Sequence, residues 1–299
     1  MRLFLTGATG FIGSRIADEL KRSGHQVIGL ARSAESAERL RAAGIEVQRG
    51  TIDDPDTLLP AVEKADAVIH TAFDHDFSRF VASCEKDRQV ITTLSRTLEG
   101  SERPLIITSG TGMGDPENGQ PATEAIFNLS HPNPRIASEL AGQVALEKGV
   151  DVRVVRLPQV HDTRRQGLIS YYIQLCREKG AAAWIDEGTN CWSAAHVDDV
   201  ARLYCAVLEK GTRGERYHAV AEEAISSRAI ADAVAAGMAL PTLSVSKEQA
   251  AAWFGWFAAF ATLDLRASGV WTQKRLGWQP TGPGLLDDLN AMNYSEIPH

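Results

Sequence analysis

The stretch HPNPRIASE, His131 to Glu139, sets an imidazole and a guanidinium four residues apart at the mouth of a helix. A histidine titrates near neutrality and can pass a proton to an alkoxide. An arginine stays charged and can hold hydroxyl or anionic groups with its planar fork. Ser109 and Thr111, in ITSGTGMG, put hydroxyls at the end of an apolar run, where a serine either caps backbone or orients a polar ligand. Ser109, His131 and Arg135 are therefore the candidate catalytic residues. Proline is comfortable only in the first turn of a helix, so Pro132 and Pro134 place the helix start at Asn133 or Pro134. Asn133 would then be the cap, with His131 in the preceding loop.

The N-terminal TGATGFIG offers a different chemistry. Gly7, Gly10 and Gly13 suit a tight turn, close backbone approach to a diphosphate, and close packing of helix on strand. The helix that follows presents unpaired N–H groups to phosphate, which makes Gly7, Thr9, Gly10, Phe11, Ile12 and Gly13 candidate cofactor contacts. No Gly-Lys-Ser/Thr follows, which argues against a nucleotide triphosphatase. The next strand closes Leu30-Ala31-Arg32-Ser33, with no acid to take a ribose 2′-hydroxyl. Arg32 and Ser33 instead suit a 2′-phosphate, and the expected cofactor is NADP(H).

Short apolar runs alternate with helical spacing from Leu3 to Leu157, which predicts an α/β chain with a Rossmann-type, doubly wound parallel sheet. Trp192 to His196 leads into a helix over Asp198–Glu209, and Tyr217 to Val220 reads as a late strand returning to that sheet. The remainder, to about residue 290, reads as helical, without strand alternation. The expected division is a cofactor-binding Rossmann domain, 1–157 plus about 190–222, and a smaller, mostly helical C-terminal substrate lobe, 158–189 and 223–299. Over 299 residues the net charge is -7 and no lysine-arginine run stands out, so no nucleic-acid partner is expected. No apolar run reaches a membrane-spanning length, and MRLFLTG is broken at once by glycine, unlike a signal peptide. Cys84, Cys176, Cys191 and Cys205 are widely spaced without a CxxC pair. That pattern suits free thiols in the cytoplasm and no metal.

The chain resembles the extended short-chain dehydrogenase/reductase family, which includes the NAD-dependent epimerase/dehydratases. TGATGFIG is similar to its TGxxGxxG, and Gly50-Thr51-Ile52 to its Gly-Asp-hydrophobic, with Thr51 in place of the acid. His70-Thr71-Ala72-Phe73 resembles its His-x-Ala-Ala/Gly, Ser193 to Ala201 its His-Val-x-Asp-Val-Ala signature, and Leu276 to Pro280 its LGWxP. The resemblance implies adenine contacts from Thr51 and Ile52, and backbone beside the cofactor from Thr71, Ala72 and Phe73. It further implies that Pro158 and Val160, in Arg156-Leu157-Pro158-Gln159-Val160-His161, pass the nicotinamide.

The family also implies a serine after the fifth strand and a Tyr-x-x-x-Lys on the next helix. Ser109 matches the first, with Gly114 at the family's glycine spacing. The second is missing: Tyr171, Tyr172, Tyr204, Tyr217 and Tyr294 lie elsewhere, and none has lysine four residues on. Aligning Glu139, ten residues before Gly149, with the family's glutamate puts Arg135 in the lysine place, against the ribose, and His131 in the tyrosine place. His161 is a second candidate acid. Tyr171, Tyr172, Trp184 and Trp192 should cap the substrate, whereas Trp253-Phe254-Gly255-Trp256-Phe257 reads as core or subunit interface before substrate cage.

The leading expectation is an NADP(H)-dependent oxidoreductase acting on a small hydrophobic carbonyl or alcohol by an atypical proton transfer. The alternatives are a nucleotide-sugar epimerase/dehydratase and a non-catalytic NADP(H)-binding sensor. A small-molecule substrate, and a homo-oligomer as the candidate assembly, complete the expected partners.

Overall fold

The computed structural model describes residues 1–295. Its first half alternates strand and helix: β1 (Arg2–Thr6), α1 (Phe11–Arg22), β2 (Gln26–Ala31), α2 (Ala34–Ala42), β3 (Glu46–Arg49), α3 (Leu59–Lys64), β4 (Ala67–His70), α4 (Phe80–Leu98), β5 (Pro104–Gly110), α5 (Ile136–Glu147) and β6 (Asp151–Leu157). There follow β7 (Gln159–His161), α6 (Ile169–Lys179), β8 (Ala182–Ile185), β9 (Cys191–His196), α7 (Val197–Lys210), β10 (Arg216–His218), β11 (Glu222–Ser226), α8 (Ser227–Met238), β12 (Thr242–Val245), α9 (Lys247–Phe254), α10 (Ala258–Ala261), α11 (Val270–Leu276) and α12 (Leu285–Ala291).

Seven parallel strands form the central sheet in the order β10-β6-β5-β4-β1-β2-β3. The inner strands β1, β2, β4 and β5 are buried on both faces, as a sheet covered by helices on each side requires. Leu3, Leu5 and Ile69 point into one core with Ile16 and Leu20 of α1 and Val200 and Leu203 of α7. Their neighbours Phe4 and Val68 point into the other, with Ile91 and Leu94 of α4 and Ala141 and Ala145 of α5. The chain runs outward from β1 to β3 and then returns to β4 on the other side of β1. The order therefore reverses between β1 and β4, the place where such sheets open a crevice for a ligand.

β10 takes the expected late return to the sheet. The later chain also holds strands that its sequence did not announce. β7, β9 and β11 form one small sheet, and β8 pairs with β12 in another. These strands are three to six residues long, too short for alternation to stand out from alanine-rich surroundings. A third apolar core joins α6, β8, α8, α9 and α12. The LGWQP segment has a packing role: the Trp278 indole N–H donates to the Asp199 carbonyl at 3.0 Å, and the buried Asp199 carboxylate accepts from Thr281 and Gly282 N–H at 2.8 Å each. No helix among the described residues is long and apolar enough to cross a membrane.

Candidate active site

The crevice between β1 and β4 opens into a cleft of about 2040 Å³. Its floor is the glycine loop. Gly7 holds φ +73°, and a Cβ there would come within 2.7 Å of Thr71 Oγ1, so the loop can lie against the end of β4 only as glycine. A Cβ on Gly13 would stand 2.1 Å from the Gly7 carbonyl, which fixes how closely α1 packs on the loop. Gly10 precedes α1 with extended backbone. No side chain caps that helix end and no acid lies in its first turn, so its N–H groups face the cleft unclaimed. The loop therefore fits a dinucleotide diphosphate, and Thr9, Phe11 and Ile12 line the same wall.

At the end of β2, Arg32 and Ser33 line the cleft. Ser33 Oγ accepts from Ser36 N–H at 3.1 Å and caps α2. Ser36 and Arg39, which sequence reasoning did not single out, line the cleft beside them, and Arg39 donates to the Thr9 carbonyl at 3.2 Å. The end of β2 itself carries no acid, although Glu35 in the first turn of α2 and Asp53 after Ile52 border the cleft. Thr51 and Ile52 close this end.

At the other end, Ser109 and Thr111 stand where β5 leaves the sheet. Ser109 is buried and its hydroxyl has no partner among the described residues, although it lines the cleft. A buried hydroxyl without a partner is costly unless a ligand supplies one. The glycine spacing after it is steric: a Cβ on Gly114 would meet the Thr123 carbonyl at 2.3 Å. Thr71, Ala72 and Phe73 follow β4, and Pro158, Gln159 and Val160 follow β6, all lining the same end.

HPNPR behaves differently at its two ends. The helix starts at Ile136, two or three residues beyond the expected start at Pro134 or Asn133, although Asn133 Oδ1 still accepts the Arg135 N–H at 2.9 Å. His131 Nδ1 accepts the Asn133 N–H at 3.1 Å, and His131 is not among the cleft-lining residues, unlike Asn133 and Arg135. The structure thus brings Ser109 and Arg135 together and leaves His131 in the loop outside. Arg135 is already engaged: Nη1 donates to Asp87 Oδ2 at 2.6 Å and to Ser138 Oγ, and Nη2 donates to the Thr108 carbonyl at 2.9 Å. Its guanidinium also lies 4.3 Å from the Phe73 ring centroid.

Behind this pair runs a buried chain. Asp87 Oδ1 lies 2.9 Å from His70 Nε2, and His70 Nδ1 lies 2.7 Å from Thr6 Oγ1, which accepts the N–H groups of Thr71 and Ala72 at 3.1 Å each. Burial alone would push the Asp87 carboxyl up, but the Arg135 charge and the His70 and Ser138 bonds hold it well below the usual carboxylate range. Asp87 had a readable signal. It sits on the buried stripe of α4 with Ser83, Cys84, Val90, Ile91 and Leu94, where an acid needs an internal partner.

His161 does not reach the cleft either. It is fully buried, its Nδ1 is 2.7 Å from Asp288 Oδ2, and burial holds its imidazole below the ordinary histidine range. Glu139 is an anchor rather than a site group. It takes both forks of Arg156, at 2.8 and 2.9 Å, and Arg216 at 2.8 Å, while Arg156 also ties down the Thr123 and Ile126 carbonyls.

The outer wall is aromatic. Phe77 stacks on Trp256 with centroids 5.3 Å apart, and meets Tyr171 and Phe260 edge-on at 5.4 and 5.5 Å. Phe80, Phe260, Leu263 and Leu265 extend it along the cleft. Of the expected caps, Tyr171 and Trp192 line the cleft, whereas Tyr172 is buried in the lobe core, its hydroxyl donating to the Ala183 carbonyl at 2.8 Å. Phe254 and Phe257 are core, and Trp256 is half exposed against Phe77.

The family and the fold have counterparts among known proteins. The model of the NAD dependent epimerase/dehydratase family matches residues 3–220. An uncharacterized protein of Schizosaccharomyces pombe is 43% identical over 295 residues, covering 98% of this chain and 100% of its own. The sterol-4-alpha-carboxylate 3-dehydrogenase (decarboxylating) of Dictyostelium discoideum is 28% identical over 246 residues, 76% of this chain and 73% of its own. The structure of a dTDP-glucose 4,6-dehydratase from Streptomyces venezuelae with NAD bound superposes with a TM-score of 0.79 at 21% identity, covering 99% of this chain and 97% of that one.

Proposed function

This chain belongs to the NAD-dependent epimerase/dehydratase family, and from that premise we propose that it is an NADP(H)-dependent oxidoreductase of small apolar carbonyl compounds or their alcohols. The observation that carries the reading is the partnerless Ser109 hydroxyl, buried where β5 leaves the sheet, in a cleft whose outer wall is aromatic. The preference for NADP(H) rests on Arg32, Ser33, Ser36 and Arg39 at the end of β2, where a 2′-phosphate would meet two guanidiniums and two hydroxyls. The apolar substrate rests on Phe77, Phe80, Phe260 and Leu265. A relative that is a sterol-4-alpha-carboxylate 3-dehydrogenase by name is in keeping with it.

In this reading the Gly7–Gly13 loop and the start of α1 bind the diphosphate, and Thr51 and Ile52 bound the adenine. Pro158 and Val160 lie along the nicotinamide. When bound, the nicotinamide supplies or accepts the hydride. The Ser109 hydroxyl donates to the substrate oxygen, holds the carbonyl in line and stabilises the charge that gathers there. Arg135 is a positioning residue: its fork is spent on Asp87 and the Thr108 carbonyl, so it fixes the strand end that carries Ser109. His131 takes no part, and the proton reaches the alkoxide through Ser109 from water in the cleft mouth. The aromatic wall keeps bulk water from the reacting carbon.

The test is NADPH oxidation against a panel of aliphatic and aromatic ketones and aldehydes. Turnover with at least one apolar carbonyl is expected, and Ser109→Ala should lower kcat by about 100-fold at unchanged NADPH affinity. Tight NADPH binding with no turnover across the panel would sink the reading in favour of a sensor.

A further inference from the structure

The charged groups around the cleft divide into those neutralised by protein and those left free. Lys86 bridges Asp53 and Asp74 at 2.5 and 2.8 Å, Arg15 reaches Asp162 and Asp198 at 3.5 and 3.7 Å, and Arg135 is paired with Asp87. Among the described residues, the guanidiniums of Arg32, Arg164 and Arg165 line the cleft without an acid partner, and Arg39 contacts only a carbonyl. The free cations thus gather in two places: Arg32 with Arg39 at the end of β2, and Arg164 with Arg165 on the turn after β7.

That turn is built to hold its arginines out. The buried Asp162 carboxylate accepts the N–H groups of Arg164 and Arg165 at 2.7 Å each, and the Asp162 N–H returns to the Arg165 carbonyl at 2.9 Å. Gln166, fully buried, donates to the Asp162 carbonyl at 2.6 Å, and Gly167 turns the chain away with φ +51°. The backbone is pinned while both guanidiniums remain exposed. The Arg165 head lies 5.8 Å from the ring centroid of Phe11, the first residue of α1. It therefore lies beside the uncapped end of that helix.

We infer that Arg165, with Arg164 beside it, clasps the diphosphate of the bound dinucleotide against the N-terminus of α1. The inference rests on the cofactor reading above. A 2′-phosphorylated dinucleotide concentrates its negative charge at the 2′-phosphate and at the diphosphate, and the cleft has a free pair of cations for each. A planar guanidinium can bind the diphosphate oxygens in a forked, charge-assisted geometry that the loop N–H groups leave available. The clasp serves NADPH and NADH alike, because both carry the diphosphate.

The experiment titrates the purified full chain, wild type and Arg165→Ala, with NADPH, NADH and adenosine 2′-monophosphate, which has no diphosphate. Arg165→Ala should weaken both dinucleotides by about tenfold and leave adenosine 2′-monophosphate unchanged. The double variant R164A/R165A should lose more, and Arg165→Lys should recover part of the loss. Both arginines are exposed, so an unchanged unfolding midpoint should accompany these results. Wild-type affinity for NADPH in both Ala variants would overturn the clasp while leaving the cofactor reading intact. A matching loss for adenosine 2′-monophosphate would overturn it as well, as would a rise confined to the KM of a charged substrate. Wild-type protein that binds neither dinucleotide would remove the cofactor reading and the clasp together.

Discussion

The two walls of the cleft are made of different material. The wall around the glycine loop is mostly backbone: a loop where an added Cβ would come within 2.7 and 2.1 Å of its neighbours, and a helix end that offers N–H groups. The facing wall is side chains, drawn from segments as distant as Phe77, Tyr171 and Phe260. A backbone wall recognises what is common to a class of ligands and tolerates little change in itself. A wall of rings can be refitted one residue at a time. Arg135 stands where the two meet, bonded to the strand end beside Ser109 and lying over Phe73.

Severing that junction should have the largest effect. Arg135→Met leaves Asp87 charged and buried without its main partner and should lower unfolding stability by about 3–5 kcal/mol, read by urea denaturation. A loss under about 1 kcal/mol would mean that the two walls stand independently. Altering the glycine-loop wall comes next. Arg32→Asp should raise the Kd for NADPH by about 100-fold and that for NADH by less than about threefold, because an acid repels only the 2′-phosphate. Equal losses would place Arg32 outside the site. On the ring wall, Phe260→Ala should raise KM for apolar carbonyls by about tenfold with NADPH affinity unmoved, the scale of a buried aromatic contact. If NADPH affinity falls as much as KM rises, the two walls do not divide their ligands in this way. The smallest effect is expected of His131→Phe, whose kcat across pH 5 to 9 should follow the wild type. A lost kcat there would restore His131 as the acid.

The same contrast explains what could be read in the sequence. The parallel sheet and the glycine loop were legible because local pattern and backbone geometry coincide there: glycine at a positive φ, apolar runs at strand length. The late return of the chain to the sheet was legible too, from Tyr217 onward. The outer wall was not, since nothing local to Phe77 or Phe260 says that they meet. For Arg135, the register taken from the family resemblance put the residue at the cleft, which it lines, but could not supply its partner, which lies 48 positions earlier on α4. The short β8, β11 and β12 were lost because strands of four or five residues carry too few alternations to be distinguished from helix.

The cluster that anchors the 111–135 loop sets an acid limit on the whole molecule. One carboxylate, Glu139, serves two guanidiniums, and His218 Nε2 lies 3.4 Å from Arg156, where a proton would add a third positive charge. Burial first, and the Arg156 charge second, push the His218 imidazole down to about 3. In the unfolded chain the same ring takes up its proton near pH 6.5. The unfolded state thus binds more protons between those values, so neutral His218 contributes its full share of stability above about pH 6.5 and loses it steadily toward pH 3, by at most about 1.4 kcal/mol per pH unit. The stretch that Arg156 ties down, through the Thr123 and Ile126 carbonyls, is in this sense weakest in acid. The acid sensitivity enters through the anchor of the stretch between Thr111 and Arg135; the glycine loop carries no titrating group to add to it.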